Sequence, residues 1–242
     1  AEWFPTATPA AQFGFLPLIA GTLWVSLFAI LFALPFGLSV SIYMSEVANP
    51  KVRSWLKPII ELLSGIPSVV YGFFGLIVIV PLIQKLFDLP VGESGLAGSI
   101  VLAIMALPTI ITVTEDAMRN CPRAMREASL ALGASQWQTI YKVVIPYSIS
   151  GITSGVVLGI GRAIGETMAV LMVTGNAAVI PTTILEPLRT IPATIAAELG
   201  EAPAGGPHYQ ALFMLGVVLF FITLIINFSV EYISSKGLKR SK

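Results

Sequence analysis

NCPRAMREASLALGASQWQTIYKVVIP, Asn120 to Pro146, lies between two strongly apolar runs, and its reading decides what the chain is. Pro122 suits the first turn of a helix, where its missing N–H is no loss. Arg123 to Leu132 is built of good helix formers,. Gly133 stops that helix, because glycine takes the left-handed conformation at a helix C-terminus without strain. Ser135 suits the N-cap of a second helix, and Pro146 marks its passage into the next apolar run. The product is a short surface helix, a sharp turn and a membrane helix: a bracket standing in water on a membrane-embedded base.

Composition supports such a base. Of 242 residues 55% are hydrophobic and 11% charged, and the mean hydropathy is +0.86. Soluble domains carry about 25% charge, so this chain cannot cover a surface with polar groups. It reads as an all-α polytopic membrane protein, a single transmembrane domain over residues 1–242 with the bracket, 120–146, inside it. The net charge of +1 gives no electrostatic footprint for nucleic acid,. Cys121 is the only cysteine, so an internal disulfide is excluded,. His208 is the only histidine and has no cysteine or carboxylate cluster beside it, so no metal site is expected,. No nucleophile–base constellation points to an enzyme, and no Gly-x-x-x-x-Gly-Lys-Ser/Thr loop to nucleotide binding. Neither cofactor nor metal is expected on this chain.

Five apolar stretches reach the roughly 20 residues needed to cross a bilayer: Phe15 to Met44, Leu56 to Phe87, Leu96 to Val113, Ile145 to Val173 and Tyr209 to Ile233. Lys51, Arg53 and Lys57 follow the first; Arg119, Arg123, Arg126 and Lys142 follow the third; Lys236, Lys239, Arg240 and Lys242 follow the fifth. The opposite connections hold only Lys85 and Arg189 among five acidic residues, Asp88, Glu93, Glu186, Glu198 and Glu201. Basic loops face the cytoplasm, so the bracket and the C-terminus are expected inside and the N-terminus outside. Ala1 to Gln12 lacks the basic start and apolar core of a signal peptide. That leads us to expect a sixth, N-terminal span preceding this chain. In the outer segment Asn176 to His208, the apolar Ile191 to Ala197 is expected to dip into the pore or meet a substrate-delivering protein. His208 is expected to be interfacial, and Glu115 and Asp116 to interact with Arg119 or the bracket.

GRAIGETMAV, Gly161 to Val170, places Arg162 and Glu166 four positions apart in the fourth apolar run. On a continuous helix they share a face. A charge near mid-bilayer costs roughly 2.5–3.5 kcal/mol and normally faces the bundle interior or a watery cavity. Two explanations are open. The pair neutralises itself to permit insertion or lock helices together, or Arg162 offers a forked donor to an oxyanion while Glu166 orients the guanidinium and limits how tightly the anion is held. Gly151, Gly155 and Gly159 precede it as a small-residue face that lets helices approach closely in lipid,.

Several stretches resemble known proteins. Glu127-Ala128-Ser129, Gly133 six positions after the glutamate and Val143-Val144-Ile145-Pro146 resemble the "EAA" loop of ATP-binding-cassette importer permeases, departing mildly at Ser129, Val143 and Ile145. Ile60 to Leu76, Gly161 to Asn176 and Leu188 to Ala202 look like the membrane subunits of phosphate importers. Met168-Ala169-Val170 after Gly165-Glu166-Thr167 is similar to the PstC-type subunit, whose PstA-type partner usually has Ala-Pro-Leu-Leu there.

The resemblance implies a type I-like permease, the channel-forming subunit of an ATP-driven phosphate importer in the inner membrane of a prokaryote. It implies docking on an ATPase dimer, which carries the ATP and magnesium, through Arg126, Glu127, Ala128, Ser129, Gly133 and Ala134. It also implies a substrate path at Arg162, Glu166 and Thr167, a PstA-type second subunit, an external phosphate-binding protein and surrounding lipid. Rival readings are a permease for sulfate or molybdate, and a secondary transporter or channel in which Arg162 and Glu166 relay protons or gate ions. The latter has no need of the bracket.

Overall fold

The computed structural model describes residues 2–5 and 11–240, with side chains up to Tyr232. The charges of Lys236, Lys239, Arg240 and Lys242, used above for orientation, lie outside the described side chains. A short antiparallel hairpin pairs β1 (Trp3–Phe4) with β2 (Gln12–Phe13). The described chain is otherwise mainly helical: α1 (Leu16–Ile42), α2 (Pro50–Gly65), α3 (Ser68–Phe74), α4 (Val80–Leu86), α5 (Gly95–Arg119), α6 (Arg123–Ala131), α7 (Gln136–Thr139), α8 (Ile145–Gly165), α9 (Met168–Val173), α10 (Ile191–Glu198) and α11 (Pro207–Arg240). Single π-turns at Tyr43–Val47, Gly75–Ile79 and Ile140–Val144 extend or join these helices.

Five helical stretches are long and apolar enough to cross a membrane: Leu16–Val47, Ser68–Leu86, Gly95–Arg119, Gln136–Gly165 and Pro207–Tyr232. The number matches the sequence reading; several boundaries move, with the third span running on to Arg119 and the fourth starting at Gln136, and two are set by breaks in the helix. The second span begins at Ser68, not Leu56. Ile66 and Pro67 separate α2 from α3, since Pro67 has extended backbone and lacks an N–H to continue a helix,. α2, with Lys51, Arg53, Lys57 and Glu61, is a separate amphipathic helix. The fourth span ends at Gly165, not Val173: Glu166 and Thr167 are non-helical and α9 starts afresh.

Contacts cluster into two units, each described by itself. One comprises Ala1–Phe32, Ile66–Met105 and Arg162–Leu224. Its core joins Val25, Tyr71, Val101, Leu102, Val170 and Val173, and a second cluster joins Trp3, Leu18, Ile191, Leu212 and Leu215. α3 packs tightly on α9, since a Cβ on Gly72 would meet the Ala169 backbone at 2.9 Å. The segment after α9 returns to it through Leu188 N–H, which donates to Thr174 O at 2.9 Å.

The expectation for Ile191 to Ala197 is corrected in part. These residues form most of α10, whose Ile191, Pro192, Ala193 and Thr194 are buried within the unit. Ile191 N–H donates to Thr22 Oγ1 at 2.9 Å. His208 is also more than interfacial. It lies 2.8 Å from Glu198, which accepts from Trp3 Nε1 as well and pairs with Arg189.

The other unit comprises Ala33–Gly65, Ala106–Gly161 and Ile225–Lys242. Here the glycine face has its partner. A Cβ on Gly151 would overlap Ala117, one on Gly155 would lie 2.9 Å from Thr114 Oγ1, and one on Gly159 2.7 Å from Ile110. α8 therefore lies against α5 at a distance that only glycine permits. Small clusters around Met44, Ile60 and Ile111, and around Met118, Cys121 and Val144, complete this unit.

Candidate functional site

Two regions carry the residues singled out from the sequence. In the first unit, Arg162 occupies the last turn of α8 and is half-buried. A cation at a helix C-terminus interacts favourably with the helix dipole, by about 0.3–1 kcal/mol at an exposed end and more where water is scarce. The helix then breaks. Thr167 Oγ1 donates to Gly165 O at 3.3 Å, and Glu166 Oε1 accepts from Ala169 N–H at 3.4 Å. The two polar side chains thus take up backbone groups freed by the interruption, as a non-helical turn at the end of a membrane span requires where water is scarce.

The sequence reading of Arg162 and Glu166 as neighbours on one continuous face is corrected: the first closes α8 and the second opens α9. Tyr71 of α3, buried in the same unit, feels the Arg162 charge. Sequence reasoning missed it, although a lone phenol in the apolar run Val69 to Phe74 was the available signal. Beside the break, Gly165 and Thr167 line an open cleft of about 520 Å³ with Pro192, Ile195, Ala196 and Leu219. Those walls are almost wholly apolar and offer an anion little beyond the Thr167 hydroxyl.

In the second unit the bracket takes the form expected from its sequence. α6 ends in Gly133 at φ +85°. Gly133 N–H bonds Leu130 O at 2.9 Å and Ala134 N–H bonds Ser129 O at 3.2 Å, the paired closure of a Schellman turn,. Ser135 caps α7 through a reciprocal pair with Gln138, at 3.2 Å and 2.8 Å,. Ser129 Oγ and Thr139 Oγ1, 2.9 Å apart, hold the two limbs together. Glu127, Ala128, Ala131 and Leu132 are exposed, Leu132 by 90%. Arg126 is different: its guanidinium turns back to Glu46 at 3.0 Å and to Met118 O at 2.8 Å.

Glu115 was expected to meet Arg119 or the bracket. It does pair with Arg119, at 3.9 Å, but its carboxylate, 1% exposed, is held more closely by α2, with Arg53 at 2.5 Å and Lys57 at 3.1 Å. Lys57 also bonds Asp116 at 2.6 Å. That hydrogen bond, opposed by burial and helped by Glu115, raises the Lys57 pKa above its ordinary 10.5. Neither Glu115 nor Glu46 was recognised as an anchor from sequence. Each partner lies many residues away, and the only local sign was an acidic residue at a span end. Among the described residues no group of three or more His, Cys, Asp or Glu side chains could hold a metal.

Five spans, a helix interruption with a cation beside it and a capped helix–turn–helix bracket define the class: a multi-pass membrane transport subunit. The family described as "Binding-protein-dependent transport system inner membrane component" matches residues 33–237, and the chain belongs to that family. It is 41% identical over 235 residues to the probable ABC transporter permease protein YqgH of Bacillus subtilis, covering 97% of this chain and 76% of that one. It is 38% identical over 250 residues to the phosphate transport system permease protein PstC of Mesorhizobium japonicum, covering 96% and 75%. These are transport components rather than enzymes.

Among solved structures, the inward-facing MetNI methionine ABC transporter matches with a TM-score of 0.66 at 17% identity, covering 94% of this chain and 97% of that one. A bacterial ABC transporter importing alginate matches at 0.67 and 19%, covering 93% and 80%. At such identities these two likenesses carry the fold alone, and that fold is the importer permease fold.

Proposed function

We propose that this chain lines the phosphate path of an ATP-driven importer, beside a second, PstA-type permease subunit. An external binding protein delivers the anion and an ATPase dimer docks on the bracket from the cytoplasm, the side on which the C-terminus also lies. Phosphate as cargo is supported by the relatives that carry that name in several bacteria. The observation that carries the anion chemistry is the position of Arg162 at the end of α8, next to a break in the membrane helix.

Discontinuous membrane helices recur at transport sites, because half-helix ends present charge and free backbone to a substrate. A guanidinium gives a tetrahedral oxyanion two parallel donors. Arg162 at a helix C-terminus also lies near the negative end of the dipole. That tempers its pull on an anion, as a path needs if the ion is to leave again. Glu166 and Thr167 keep the break open through their bonds to Ala169 N–H and Gly165 O. ATPase docking through Glu127, Ala128, Ser129, Gly133 and Ala134 fits a bracket whose small, exposed residues permit close approach. Arg126 supports that surface from behind.

The test is ATP-dependent phosphate uptake by the complete complex in lipid vesicles. Arg162→Leu is expected to assemble with the ATPase and abolish uptake. Arg162→Lys, which keeps the charge and loses the fork, is expected to be partly defective. Normal uptake by Arg162→Leu would refute the assignment. Uptake of sulfate or molybdate in place of phosphate by the unmodified complex would correct the cargo.

A further inference from the structure

Glu46 meets both limbs of the bracket. Glu46 lies in the π-turn Tyr43–Val47 that ends the first span, and its side chain is only 8% exposed. Arg126 Nη2 of α6 reaches its Oε1 at 3.0 Å. Gln136 Nε2, at the start of α7, donates to the Glu46 carbonyl at 3.1 Å. Both limbs of the bracket therefore grip the same residue, α6 by its side chain and α7 by its main chain. The same Arg126 nitrogen donates to Met118 O at 2.8 Å, in the last turn of α5.

We propose that Glu46 and Arg126 form the joint through which the bracket moves α1 during transport, which makes Glu46 a positioning residue of the transport cycle. This rests on the ATPase-docking reading above. An ion pair at a water-exposed surface is slack and contributes little. A carboxylate that is almost fully covered is different, because pulling its partner away leaves a charge in poor solvent. The Arg126 guanidinium is planar and one of its nitrogens meets both Glu46 and Met118 O, so displacement of α6 is passed on rather than absorbed by side-chain rotation,. Arg126 faces away from the exposed Glu127–Ala128 surface, which leaves that surface free for a partner. Gln136 adds a neutral second strut, so the bracket pulls on α1 from two points.

The test uses the complete complex in lipid vesicles and reads phosphate imported per ATP hydrolysed. Glu46→Gln, which keeps shape and loses charge, is expected to assemble and hydrolyse ATP with about tenfold less phosphate per ATP, within the usual range for coupled sites. Glu46→Arg combined with Arg126→Glu is expected to recover most of the ratio. An unchanged ratio in Glu46→Gln overturns the joint. So does loss of assembly in that variant, which would mark the pair as a folding anchor.

A second readout does not depend on the cargo. Spin labels at Phe36→Cys and Arg123→Cys, both exposed positions, report the distance between α1 and α6 by electron–electron resonance. Cys121 is buried and leaves the labelling selective. The distance is expected to stay single through ATP binding in the otherwise unmodified complex and to broaden in Glu46→Gln. An equally narrow distance in both overturns the joint. Failure of the unmodified complex to import phosphate would instead overturn the phosphate reading and leave the distance test intact.

Discussion

The bracket and the helix break differ in how a chain leaves a helix. At the bracket the exit is written in backbone chemistry: Pro122 opens α6, Gly133 turns at φ +85° and Ser135 opens α7. Each signal acts within four residues and in water. At the break, Gly165-Glu166-Thr167 stands in an apolar run with no proline, and Gly165 needs no left-handed backbone. The exit there is made by two side chains that replace the lost helical bonds. An interruption in water can rely on solvent, whereas one in a membrane must be satisfied by the protein itself.

The largest effect short of removing Arg162 is expected from closing the break. Gly165→Ala together with Thr167→Leu gains helix propensity, about 1 kcal/mol from the glycine alone, and removes the hydroxyl that satisfies Gly165 O. A Cβ at Gly165 meets nothing within 4 Å, so steric conflict does not confound the result. We expect normal assembly and loss of most phosphate uptake although Arg162 is retained. Full uptake by the double variant would mean that the interruption is incidental to transport.

At the bracket the corresponding change is Gly133→Val. Open space surrounds Gly133 as well, so the cost is purely conformational. A β-branched residue in the left-handed region is a genuine outlier, at roughly 1–2 kcal/mol. The expected result is a weaker complex with the ATPase, measured by co-purification, with the spans still folded. Unchanged binding would show that the turn tolerates another geometry.

What was legible follows the same division. Span number and the helices and turns of the bracket were readable, because hydropathy and local turn chemistry specify them. The split of α2 from α3 was only half readable. Pro67 announced a possible break, but proline is tolerated inside membrane helices, as Pro35 and Pro108 are here. The roles of Glu46 and Tyr71 were not readable at all, and of the contacts of Glu115 only the one to Arg119 was. Glu115 meets Arg53 and Lys57 across some sixty positions of sequence, and a single sequence carries no record of such pairings. Arg126 was found for its position in a motif. Its inward direction depends on Glu46, 80 residues earlier.

A smaller effect is expected from Ser135→Ala. It removes one half of the reciprocal cap with Gln138 and costs about 1 kcal/mol. The Ser129–Thr139 bond and the Gln136–Glu46 bond still hold α7 in place. Amide hydrogen exchange in the assembled complex is expected to rise in residues 135–139 and to stay unchanged in α6. A rise across the whole bracket would mean that the cap holds both limbs, and would make the turn at Gly133 secondary to it.

The smallest effect concerns charges that neither helix end supports. Lys57 depends on Asp116 and Glu115 alone, and its pKa lies above the ordinary 10.5. For a cation with a raised folded value, the stabilisation is fully present below the unfolded pKa and is lost as pH rises through the folded one. Lys57→Met should therefore lower thermal stability by the same modest amount at about pH 6 and about pH 9, far below the lysine range. The difference from the unmodified protein should close only above 10.5. Lys57 is partly exposed, so the whole effect is small and shrinks in salt,. A difference that already closed between about pH 6 and about pH 9 would mean that Lys57 loses its charge below the ordinary lysine range, which its carboxylate partners oppose,.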